Sequence, residues 1–84
     1  MRNFLVQKVK CGNRGQTLET DWQTTIRTES YSDAVQMGAF EYMHHIKDIN
    51  DITVHPLGLW LYLVEENGFQ TLYRLYNLDV ETDI

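Results

Sequence analysis

Two periodicities organise this chain. From Trp22 to Glu29, alternate residues differ in character. Trp22, Thr24, Ile26 and Thr28 share one side of an extended chain, and Gln23, Thr25, Arg27 and Glu29 share the other. That alternation predicts a half-buried strand. Ahead of it, Phe4 to Cys11 is rich in Val, Leu and Phe and predicts another strand, expected to pair with the first. Between them, Gly12-Asn13-Arg14-Gly15 tolerates positive φ and predicts a turn. From Tyr31 to about Lys47 the period becomes helical: Val35, Gly38, Ala39, Tyr42, Met43 and Ile46 fall on one stripe. Ser30 followed by Asp33 has the form of a capping box, with Asp in place of the usual Glu, and the acid suits the positive helix N-terminus. Gly38 weakens a helix but lets its backbone approach a sheet closely. Asn50-Asp51 is expected to end the helical segment.

Ile52 to His55 predicts a short strand, stopped by Pro56, which has no amide to donate to a ladder. Leu59 to Val64 and Phe69 to Tyr76 flank Asn67-Gly68, the pair that suits both positive-φ positions of a type I′ hairpin turn. The tail, Asn77 to Ile84, alternates Leu78, Val80 and Thr82 with acids and reads as a last edge strand or a frayed acidic end. The order is β-β-α-β-β, with a further β: a single α+β domain over residues 1–84, one helix on an antiparallel sheet of four to five strands.

The closing hairpin carries the functional expectation. A two-residue turn pairs Tyr62 with Tyr73. One face then holds Leu59, Leu61, Leu63 and Leu72, interrupted by Arg74 and Tyr76. The other holds Trp60, Tyr62, Val64, Thr71, Tyr73 and Leu75. Both faces are apolar, yet one helix can cover only one, and a solvated sheet face should be polar. The leucine face is expected to meet the helix, leaving Trp60, Tyr62, Tyr73 and Leu75 open to a protein partner, aided by Glu65 and Glu66. That partner is a foreign protein or a second copy of the chain. A plainer account is that Tyr62 and Tyr73 stabilise exposed sheet by cross-strand contact. Met37, Phe40 and His44 lie opposite the helix stripe, where polar residues are the norm.

Charge sharpens the picture. The chain has 84 residues and a net charge of −5. Its basic residues are concentrated early: residues 1–30 carry a net +2 and residues 31–84 a net −7. The acidic majority disfavours nucleic acid, although Arg2, Lys8, Lys10 and Arg14 near Trp22 form a modest basic patch that could line a single-strand groove. Cys11 is the only cysteine, which excludes an internal disulfide. His44 and Asp48 are four apart on the helix, with His45 and His55 nearby, but they lack the spacing of a zinc site. No phosphate loop or nucleophile signature is present, so neither a cofactor nor catalysis is expected. The apolar runs are too short for a secretory signal or a membrane span, and a cytoplasmic protein is expected.

A two-strand start leading into Glu29-Ser30-Tyr31-Ser32-Asp33-Ala34, a helix, and then Gly58-Leu59-Trp60-Leu61 entering a closing hairpin resembles the layout of small phage-encoded inhibitors. Over about residues 4–76 it is similar to the compact anti-CRISPR proteins of the type I-F class. That resemblance implies a curved antiparallel sheet with one helix, a large host defence complex as partner, and inhibition without catalysis. The acidic charge departs from what an inhibitor lying in an RNA-binding groove needs, unless it mimics nucleic acid. No contact residue is carried over.

Overall fold

The computed structural model describes residues 1–11, 18–43, 47–58 and 60–79. The turn expected at Gly12–Gly15, His44, His45, Ile46, Leu59 and the tail from Val80 onward lie outside the described residues. The elements are β1 (Arg2–Cys11), β2 (Leu18–Thr28), α1 (Tyr31–Tyr42), a 3₁₀ turn (Ile49–Asp51), β3 (Thr53–Pro56), β4 (Leu61–Glu66) and β5 (Phe69–Asn77). One helix packs on a five-stranded antiparallel sheet of order β2-β1-β5-β4-β3. No helix among the described residues is long and apolar enough to cross a membrane.

Local chemistry accounts for the boundaries. Ser30 caps α1, its hydroxyl accepting from the Asp33 amide at 3.2 Å. The helix is shorter than its stripe predicts, ending at Tyr42; Met43 is the cap, and its amide still reaches Ala39 O at 2.9 Å. The descending chain is tied back to the helix by Gln36 Nε2, which donates to Ile49 O at 3.1 Å. Asp48 starts the 3₁₀ turn by accepting from the Asn50 amide at 2.9 Å. Asn67 and Gly68 have φ of 51° and 82°, the positive values a primed turn requires. The hairpin register is the expected one, with Leu61 opposite Arg74 and Tyr62 opposite Tyr73.

β2 runs four residues further toward its N-terminus than its alternation predicts, because Asp21 is a bulge. Lys8 opposes Trp22 while Val9 opposes Thr20, so Asp21 is the extra residue and reverses the facing of everything before it. An interrupted edge is a poor template for another strand. Asp21 meets Lys8 at 2.8 Å. This bond holds the Asp21 carboxyl below the usual carboxylate range and raises the Lys8 ammonium, against the opposing effect of its partial burial.

The core lies between α1 and one face of the sheet. Phe4, Val6, Ile26, Val64, Tyr73 and Leu75 meet Ala34, Val35 and Ala39 there, nearly all of them fully buried. Gly38 sits against Val6 as anticipated: a Cβ at that position would stand 2.7 Å from Val6 Cγ1.

This core overturns the expected sheet facing. The helix covers Tyr62, Val64, Thr71, Tyr73 and Leu75, and the leucine face is the one turned away. The cause is the pairing of β1 with β5, which sets Val6 opposite Leu75 and Lys8 opposite Tyr73. Once Phe4 and Val6 point to the helix, every β5 residue paired with that side of β1 must do so too.

Burial leaves a mark on Tyr73. Its hydroxyl and that of Thr71 are buried without a well-aligned hydrogen bond to any described residue. Loss of solvent pushes the Tyr73 phenol up to about 12, the nearby Thr71 hydroxyl offsetting part of the effect. Because the folded chain holds this proton more tightly than the unfolded chain, stability is full below pH 10 and declines as pH rises from 10 toward 12. Tyr73→Phe removes a poorly satisfied polar atom, so it should change stability by no more than about 1 kcal/mol at neutral pH. It should also reduce the alkaline loss, as read by urea unfolding across that pH range.

Candidate functional site

The face turned away from α1 is built in rows across the sheet. Leu5 stands beside Tyr76 and Thr25, and Gln7 beside Arg74 and Gln23. Leu61 continues the Arg74 row on β4, and Val9, Leu72 and Leu63 form the next row. Leu5, Leu61, Leu63 and Leu72 are half-buried, and none belongs to the core cluster under the helix. Polar residues surround them: Thr20, Gln23 and Thr25 on β2, and Thr53 and His55 on β3. Leu61, Leu63 and Leu72 lie together on β4 and β5, Leu5 stands on the far side of the polar Gln7–Arg74 row, and the margin is polar, a mixture of apolar and polar surface that protein interfaces share.

Arg74 stands in the middle of this surface. Its Nε donates to Gln7 Oε1 at 3.1 Å and Nη2 to Thr20 Oγ1 at 3.1 Å. Gln7 is itself anchored, its Nε2 donating to Gln23 Oε1 at 3.0 Å. The guanidinium carbon lies 5.7 Å from the centre of the Tyr76 ring, within cation–π range. Where the sheet ends beyond β4, Trp60, Tyr76, Arg74, Tyr31 and Asn77 line an open groove of about 370 Å³. Trp60 is 60% exposed there, and its carbonyl accepts from the Leu75 amide at 2.8 Å, continuing the ladder.

The six residues expected to form the binding surface are therefore split. Trp60 is open, and Glu65 is on the outward face beside His55, with Oε1 3.3 Å from His55 Nε2. Tyr62, Tyr73 and Leu75 are core residues under α1, which corrects their expected exposure. Glu66 is also buried, at the hairpin end on the helix side, and accepts from Asn67 Nδ2 at 2.6 Å. Leu5, Arg74 and Tyr76 replace them on the open face, while Val9 faces the same way but is buried. The missed signal was Arg74: an arginine amid leucines, with no acid opposite, belongs on the solvated side of a small sheet.

Other features are accounted for locally. Met37 and Phe40 line a second open groove of about 430 Å³ with Ile26, Glu41 and Ile49, while Phe40 also packs on the core. Lys8 is committed to Asp21 and lies 5.3 Å from the Tyr42 ring centre; Trp22 packs edge-on against that ring at 5.0 Å. The basic patch around Trp22 is thus partly neutralised. Among the described residues, no group of three or more His, Cys, Asp or Glu is placed to hold a metal ion.

This arrangement defines a small α+β domain with one sheet face on its helix and the other, apolar, facing outward. Compared with known proteins, no family model, curated protein or solved structure matches the chain.

Proposed function

We propose that this chain is a small non-enzymatic interaction protein that acts in the cytoplasm and binds a protein partner through the outward face of its sheet. The single observation behind the reading is that Leu5, Leu61, Leu63 and Leu72 face away from α1, stand outside the core cluster beneath it and are only half-buried. A sheet face meant for water alternates toward polar residues, so a face this apolar gains by being covered. Size supports the reading: the domain measures 44 × 35 × 19 Å, and its broad side can supply the roughly 800 Å² per partner of a standard interface. The resemblance to phage inhibitors supports a large host assembly, such as a defence complex, as the partner.

The test is affinity capture from lysate of the source cell, comparing wild type with Leu63→Gln/Leu72→Gln after circular dichroism confirms that both fold. The double variant should lose the captured protein. Recovery of the same protein in the same amount by both forms would remove the reading.

A further inference from the structure

We infer that the outward face receives a protein segment presenting a carboxylate beside a large apolar side chain, the carboxylate pairing with Arg74 and the apolar group entering the groove between Trp60 and Tyr76. This rests on the reading above and names the chemistry of its partner. Arginine has five N–H donors, and among the described residues the bonds to Gln7 and Thr20 occupy two of Arg74's, leaving three. Among the described residues no carboxylate pairs with it. The chain of amides from Gln23 through Gln7 holds the guanidinium in place, so little further ordering is needed when an anion arrives. Whatever covers the leucines also covers Arg74, and burying that charge without an acid is strongly unfavourable. A guanidinium fork matches a carboxylate in two parallel bonds. Trp, Tyr and Arg around one groove are also the residue types that dominate binding energy.

The same geometry weighs against other occupants. A second copy packed face to face about a two-fold axis near the centre would bring Arg74 toward its own counterpart. The acids Glu65 and Asp79 lie toward the ends of the face, engaged with His55 and Asn3. Nucleic acid needs several clustered cations, whereas among the described residues this face offers Arg74 and Arg27, on a chain of net charge −5.

The probe is a displayed library of random linear peptides, panned on the full chain with counter-selection on Arg74→Gln. Selected peptides are then synthesised with a fluorescent label and titrated by anisotropy. Enriched sequences should carry Asp or Glu next to Leu, Phe or Trp. Arg74→Gln should weaken binding by about tenfold or more, and Trp60→Ala by a similar factor. Arg74→Lys should restore only part of the loss, since an ammonium cannot form the fork. Circular dichroism confirms that each variant folds. Peptides without acids that still need Leu63 and Leu72 would overturn this inference while leaving the outward face as a binding surface. Failure to enrich any peptide, or binding indifferent to every outward-face change, would overturn both. Salt-sensitive binding of a mixed-sequence single-stranded oligonucleotide through Arg74, or a dimer in sedimentation velocity that Leu63→Gln/Leu72→Gln abolishes, would overturn the inference in favour of that occupant.

Discussion

Gly38→Val is expected to fold poorly or not at all. The helix crosses β1 so closely that a Cβ at this position stands 2.7 Å from Val6 Cγ1, 3.1 Å from its Cβ and 3.3 Å from Cγ2. Val6 cannot step aside. It is fully buried, branched at Cβ, and sits on a strand paired on both sides. The helix would have to lift from the sheet, opening voids around Val35 and Ala39. Two effects oppose each other for the milder Gly38→Ala. Alanine favours a helix over glycine by about 1 kcal/mol, whereas overpacking a close contact costs about 1–3 kcal/mol. The contact should win because the clash is with a rigid side chain, giving a modest net loss. Valine adds two methyl groups and its own helix penalty, so about 3 kcal/mol or more is expected. A domain of this size has roughly 4–12 kcal/mol in total. Urea unfolding followed by circular dichroism measures the loss, and Val6→Ala in the same chain should restore part of it. Wild-type stability in Gly38→Val would mean that α1 does not seat on Val6.

That contact also separates what could be read from the sequence from what could not. The glycine in the helix stripe, the Ser30 cap, the Asn67-Gly68 turn and the faces of each strand are local, set by residues within a few positions of one another. They were legible for that reason. The choice of covered face is not local. It depends on β1 pairing with β5, about seventy positions later, with Val6 beside Leu75. A one-residue change in that pairing would have turned the leucines inward. Tyr62 and Tyr73 suggested an interface because tyrosine suits one, yet in this core they serve as bulk. The helix ended earlier than its stripe predicts, with Met43, an apolar stripe position, serving as the cap. The bulge at Asp21 left no trace beyond a polar run ahead of Trp22.

Opposite outcomes are expected from substitutions on the two faces of one hairpin. Tyr73→Ala should cost about 3–5 kcal/mol, the range for removing a large buried aromatic. Tyr73 has no exposed surface and stands between Lys8 on β1 and Tyr62 on β4, so neither strand can close over the space it leaves. Leu63→Gln/Leu72→Gln lies one residue away on each strand but points outward from the core. Both leucines are already partly in water, and glutamine keeps most of their length, so stability should change by about 1 kcal/mol or less. Binding should respond in reverse. The outward pair is to abolish partner capture in a folded protein, whereas Tyr73→Ala reduces it only in proportion to the fraction unfolded. The two quantities separate when capture is scaled by the folded fraction from urea titration. After that scaling, Tyr73→Ala should match wild type while Leu63→Gln/Leu72→Gln does not. If the scaled loss followed Tyr73 instead, the recognition surface would include the helix-covered side, and the leucines would be ordinary half-exposed strand residues.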